Sequence, residues 1–132
     1  MLLANSICGQ GFSGSDIPGF YNDPETEELY IRWYQLGLFM PFFRAHSNHL
    51  NKRREPWLFS EDTLNSVRRI IKLRYCLLPY LYNVSYLMYK TGEPAMRPMW
   101  YHLLNNPKAY EYEDVQFFYG RDIIVRPITF EK

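Results

Sequence analysis

The chain has 132 residues, 47% of them hydrophobic and 22% charged, a globular composition that excludes disorder and allows one domain or part of one. Fifteen Lys and Arg against fourteen Asp and Glu leave a net charge of +1, so neither nucleic acid nor an anionic membrane is expected as the main partner. Aromatic residues are the outlier at 18%, with twelve Tyr and nine Phe; such rings pack cores and also stack on sugars and bases.

Met1 is not followed by a basic segment and a long apolar run, so no signal peptide is read. Residues 2–8, LLANSIC, read as a short buried strand. It leads into a glycine corner at Gly9, Gly11 and Gly14, where positive φ and close backbone approach are both available. In NDPETEELYIRWYQLGLFM, Asp23 can cap, Pro24 suits the first helical position, and Glu25, Glu27 and Glu28 favour the positive end of the helix dipole. Leu29, Trp33, Leu36 and Met40 recur at helical spacing and predict a helix over 24–39, ended before Pro41.

The following stretch, PFFRAHSNHLNKRREPW, has no period and reads as a long ordered loop, of a length that is often functional. A second helix is predicted from Ser60 to about Lys90. Its face is Leu64, Val67, Ile71, Arg74, Leu78 and Leu81; Pro79 should kink it and Gly92 should stop it. The window from Leu73 to Tyr89 is apolar, but it contains Arg74 and five tyrosines in only seventeen residues. That predicts a buried core helix rather than a membrane span. EPAMRPMW (93–100) and QFFYGRDIIVRPI (116–128) read as strands, and the order strand, helices, strand implies a right-handed parallel unit. Cys8 and Cys76 lie in apolar surroundings and are expected as buried thiols rather than a disulfide.

Two readings of Asp16, in GFSGSDIPGF, stand side by side. It is either a turn residue bonded to its own corner or a carboxylate at the end of a strand that faces an active site. His46 follows Arg44 in an aromatic-rich segment, and a neutral imidazole suits sugar hydroxyls, phosphate or a metal. His49 stands three residues on without a third ligand near it, so no metal site is expected. In KRREPW, Lys52 and Arg53 read as solvated, while Arg54 beside Glu55 reads as a buried ion pair bracing the loop. Asp16 and Glu55 could also be the paired carboxylates of a glycosidase, which spacing alone does not decide. The chain has no phosphate-binding glycine loop and no nucleophile elbow, and no cofactor is expected. His102 has no motif around it, and the sequon at Asn83 lies mid-helix.

Taken together, GSDIPGF, RWYQLGLFMPFFRAHSNH, RREPW, LRYCLLPYLY and RPMW resemble, in order and spacing, the catalytic barrel of glycoside hydrolase family 31, the retaining α-glucosidases and their relatives. The resemblance runs from about Gly9 to Ile128. It implies an α/β fold: the C-terminal portion of a (β/α)8 TIM barrel, strands 7 and 8 with their helices in residues 1–105, running into the start of a β-sandwich in 106–132. Asp16 would end strand seven and line or support the sugar pocket. His46 would hydrogen-bond the hydroxyls of the sugar being cleaved, and Phe20 would form part of the wall. Arg44, Arg54 and Glu55 would hold the loop that presents His46, and PAMRPMW would be strand eight.

The substrate implied is an α-linked glucose-containing oligosaccharide or N-glycan. PFFRAH followed by RREPW looks most like the family's endoplasmic-reticulum branch, which implies the lumen of that compartment and a regulatory β-subunit. Pro18 and Arg126 depart from residues the family usually has there. The family's nucleophile lies in a W-x-D-M-N-E type motif and its acid/base in a G-D-N type motif, and neither occurs in these 132 residues. No catalytic residue is therefore assigned in this chain. Both acids are expected upstream, in the N-terminal part of the same barrel, and the chain reads as a poorly stable, inert fragment, since a complete barrel takes about 250 residues. The alternatives are a non-catalytic sugar-binding or pseudoenzyme remnant and a protein–protein module.

Overall fold

The computed structural model describes residues 1–130. Along the chain run α1 (Leu2–Ile7), β1 (Asp16–Ile17), α2 (Glu27–Gly37), β2 (Arg44–Ala45), α3 (Glu61–Thr91), β3 (Met96–Pro98), α4 (Lys108–Glu111), β4 (Phe117–Tyr119) and β5 (Ile123–Val125), with 3₁₀ turns at Pro56–Leu58 and Met99–Tyr101. They form two compact units: Gly14–Leu78, and Met1–Ser13 together with the chain from Pro79 onward.

In the first unit, β1 and β2 pair in parallel, Asp16 opposite Arg44 and Ile17 opposite Ala45, with α2 as the connection. The stretch after Pro41 is a long ordered loop, as expected, except that Arg44–Ala45 within it supply the second strand. Helix α2 starts three residues later than expected. Thr26, not Asp23, caps it, its hydroxyl accepting from the Leu29 N–H at 3.1 Å. Its most buried residues are neighbours of the expected Leu29, Trp33 and Leu36, although Met40 is buried as expected. Tyr30, Tyr34 and Leu38 are buried while Leu29 is exposed. The tyrosine rings set this face: Tyr30 lies 4.1 Å from Phe59 and 5.1 Å from Tyr34, and Tyr34 meets Phe43 edge-on.

Ile17, Tyr30, Tyr34, Leu38, Val67 and Ile70 make the core of this unit. Arg74 closes it by donating to the carbonyls of Leu38, Met40 (2.7 Å) and Pro41 (3.0 Å). A helix C-terminus leaves such carbonyls without intrahelical partners, so this cation completes the end of α2. Helix α3, expected as a buried core helix, buries only part of its surface: of the expected face Val67 and Leu81 are buried and Leu78 is exposed. Val67, Ile70, Leu81 and Val84 are buried, but Leu73, Tyr75, Tyr82, Tyr86 and Tyr89 are exposed. Among the described residues no helix is long and apolar enough to cross a membrane. Cys8 and Cys76 are free, as expected, but exposed rather than buried.

In the second unit, LLANSIC is a helix, not the strand expected. Its Leu and Ala favour helix, Cys8 N–H bonds Ala4 O at 3.0 Å, and Gly9 ends it at φ +91. β3 forms inside the predicted 93–100 strand, but it pairs antiparallel with β4, which pairs antiparallel with β5. It therefore belongs with the strands that follow it, and the parallel partner of the Asp16 strand is Arg44–Ala45 instead. Buried Arg97 anchors this sheet, donating to Pro94 O at 2.7 Å, to Glu93 at 2.9 Å and to His102 Nε2 at 3.1 Å.

Candidate functional site

The glycine corner has a mechanical cause at Gly14. A Cβ there would stand 1.9 Å from the Phe42 carbonyl oxygen, so only glycine lets the chain enter β1 this close to the approach to β2. Ile17, fully buried, anchors β1, and Asp16 beside it points into the pair formed with β2. Arg44 donates from Nη2 (2.6 Å) and Nε (3.2 Å) to one oxygen of Asp16. The Arg44 guanidinium also lies 5.0 Å from the Phe42 ring, which fixes its plane.

The parallel pairing continues past the two strands. His46 N–H donates to Ile17 O at 3.2 Å, and Asn48 N–H donates to Phe20 O at 2.9 Å. This register brings the Phe20 and His46 rings to 5.6 Å, tilted by 36°. Four residues read separately in the sequence (Asp16, Phe20, Arg44 and His46) thus meet at one end of β1 and β2. The His46 ring is exposed and makes no side-chain hydrogen bond among the described residues, so both of its nitrogens are open to a ligand.

Arg54 is 7% exposed and holds the loop that ends in Phe20 and Asn22. It donates to Gly19 O (2.8 Å), Asn22 O (2.9 Å) and Asp23 (3.1 Å). The expected Arg54–Glu55 pair does not form. Glu55 instead accepts both Nε (3.0 Å) and Nη2 (2.7 Å) of Arg53. The backbone at Glu55 is extended (φ −65, ψ 142), and in an extended chain residues i and i+2 share a side while neighbours point apart. Arg53 and Glu55 therefore meet, and Arg54 turns inward.

The hydrogen bond from Arg53 holds the Glu55 carboxyl below the usual carboxylate range. A carboxylate kept ionised in this way is a poor proton donor, which leaves Glu55 unsuited to the acid role of a glycosidase pair. Sequence reading also missed the Tyr30 phenol, which donates to Arg54 O at 2.7 Å and whose pKa is raised far above the usual value by burial. No local motif marks it, because the two residues meet only through the packing of α2. Among the described residues, no cluster of three or more His, Cys, Asp or Glu is placed to hold a metal ion.

A cavity of about 520 Å³ opens beside His46, lined among others by Asn48, His49, Arg53, Glu55 and Trp57. Asp16 and Phe20 are not part of its lining.

A family model described as the TIM-barrel domain of glycosyl hydrolases family 31 matches residues 1–84. The chain belongs to glycoside hydrolase family 31. The C-terminal domain of family 31 matches residues 92–132, so the family's own domain division falls near Gly92, where α3 ends at a glycine with φ +76.

Within family 31 the chain is 47% identical to glucosidase 2 subunit alpha of Saccharomyces cerevisiae, over 98% of this chain and 13% of that protein. It is 45% identical to neutral alpha-glucosidase C of Homo sapiens, over 98% of this chain and 14% of that protein. Among solved structures it resembles an ER glucosidase II heterodimeric complex of a catalytic subunit with the binding domain of a regulatory subunit. The TM-score there is 0.92 at 36% identity, covering 98% of this chain and 14% of that one. The chain therefore spans about one-seventh of the length of these family 31 relatives.

Proposed function

We propose that this chain forms one wall of the sugar pocket of a retaining α-glucosidase that removes terminal α-linked glucose from oligosaccharides or N-glycans. The observation that supports this most directly is the shared end of β1 and β2, where the Asp16–Arg44 ion pair and the Phe20–His46 ring contact stand side by side. In this reading the exposed His46 ring donates to a hydroxyl of the glucose being cleaved. Asp16 accepts from another hydroxyl through the oxygen that Arg44 leaves free, and Phe20 covers the apolar face of the ring. Arg44 fixes Asp16, Arg54 fixes the Phe20 loop, and the Arg53–Glu55 pair fixes the segment beyond His46.

The bond is cut by double displacement, with nucleophile and acid/base supplied by sequence outside these residues. Hydrogen bonds to sugar hydroxyls that strengthen as the ring flattens lower the barrel's transition state rather than merely binding the ground state. The barrel part of the chain ends near Gly92, and β3–β5 begin the β-sandwich, rather than dividing near residue 105. The antiparallel pairing of β3 supports that boundary. A regulatory subunit and the lumen of the endoplasmic reticulum follow by analogy with the glucosidase II relatives.

The alternative reading is a non-catalytic sugar binder. Proton NMR of the full-length protein acting on a terminal α-glucoside separates the two. The proposed enzyme releases α-glucose first, and mutarotation follows. β-Glucose released first contradicts retention, and sugar binding without release supports the non-catalytic reading.

A further inference from the structure

We infer that Trp57 is the platform for the sugar on the leaving-group side of the scissile bond, and so a specificity-determining residue of the same site. This rests on the function proposed above and adds to it an assignment for the cavity beside His46.

The cavity, about 520 Å³, is lined by the segment from Ala45 through His46 to Trp57, Leu50 excepted, and by neither Asp16 nor Phe20. It lies within the range of pockets that enclose ligands larger than a single sugar ring, roughly 300–1,000 Å³. His46 belongs to both places: its ring meets Phe20 and it lines the cavity. Through His46 the cavity adjoins the place proposed for the glucose, so the next sugar of the substrate has this space beside it.

The chemistry of the lining is that of a carbohydrate subsite. Trp57 is 63% exposed on the 3₁₀ turn Pro56–Leu58, and among the described residues its indole has neither a ring partner nor a hydrogen-bond partner. A large aromatic ring left open in the cavity, beside Ala45 and Pro56, is the flat apolar surface on which the C–H face of a pyranose packs. His49, Asn51 and Lys52, all in the same lining, offer donors and acceptors for the hydroxyls at the sugar's edge. Buried Arg54, which donates to the Gly19 and Asn22 carbonyls, anchors the residues just before the turn.

The test compares substrates in the full-length protein. A glucosyl disaccharide fills the leaving-group side, whereas α-glucosyl fluoride loses only fluoride and does not. Trp57→Ala is expected to lower kcat/KM for the disaccharide about tenfold, the size of one aromatic stacking contact, and to leave hydrolysis of the fluoride within twofold. Trp57→Phe is expected to restore most of the loss. Equal losses on both substrates, or no loss on either, would overturn the assignment. If the wild-type protein fails to hydrolyse even the fluoride, the proposed function itself is wrong, and unaltered disaccharide binding by Trp57→Ala in calorimetry then overturns the assignment as well.

Discussion

Asp16 accepts from both donors of Arg44 on one carboxylate oxygen, Oδ1. That pair is partly open to solvent, with side-chain exposures of 47% and 21%, and exposed ion pairs contribute at most about 1 kcal/mol. Arg54 is different in kind: it is buried and serves two backbone carbonyls and Asp23. Stranding those acceptors should cost about 3 kcal/mol. Arg44→Leu is therefore expected to reduce turnover while barely moving the unfolding midpoint in urea, and Arg54→Met to lower that midpoint strongly. The reverse order would contradict the division of labour drawn between them. At this scale the residue types were legible and their partners were not. Arg54 reads as buried from its neighbours Pro56 and Trp57, but its acceptors lie more than thirty positions away, and only the extended backbone at Glu55 decides which arginine the carboxylate meets.

The elements are tied at two points that sequence patterns mark only faintly. One is Gly14, where any side chain collides with the Phe42 carbonyl. Gly14→Ala forces β1 and β2 apart and is expected to cost roughly 1–3 kcal/mol, measured as a lowered unfolding midpoint together with weaker sugar binding. The other is Glu27, in the first turn of α2, which accepts from the hydroxyls of Ser60 and Thr63 at the start of α3. The Ser60 hydrogen bond, followed by that of Thr63, holds the Glu27 carboxyl below its ordinary value of 4.5.

A carboxyl depressed in the folded state adds stability at pH values above its unfolded pKa and loses it as pH falls through the folded one. Glu27→Gln should thus unfold more readily than wild type at pH 7, and the gap should close as pH drops below about 4.5. A gap that stays constant across that range would rule out the ionised tie. Long helices with caps were the most legible elements, as α3 shows with its Gly92 stop. The short ones were not: LLANSIC has apolar residues enough for a strand, yet with Leu2, Leu3 and Ala4 at its start Leu2–Ile7 folds as a turn and a half of helix, and the two-residue strand at Arg44 has no periodicity to detect.

For the molecule as a whole, family membership was carried by ordered motifs, whereas the place of each strand in a sheet depended on pairings that no motif encodes. Many apolar residues are open to solvent along α3, Tyr75, Tyr82 and Tyr89 among them. Expressed by itself, the 132-residue chain is expected to hydrolyse no aryl α-glucoside and to self-associate, which sedimentation and a colorimetric assay would show; a monodisperse, active chain would contradict that. The claim on which the rest depends is that His46 holds the glucose undergoing cleavage. The direct measurement is kcat/KM for a terminal α-glucoside in full-length His46→Ala, alongside its unfolding temperature. The account predicts a loss of about 100-fold, the size expected when a donor to the transition state is removed, with the unfolding temperature unchanged. Turnover equal to wild type would contradict it.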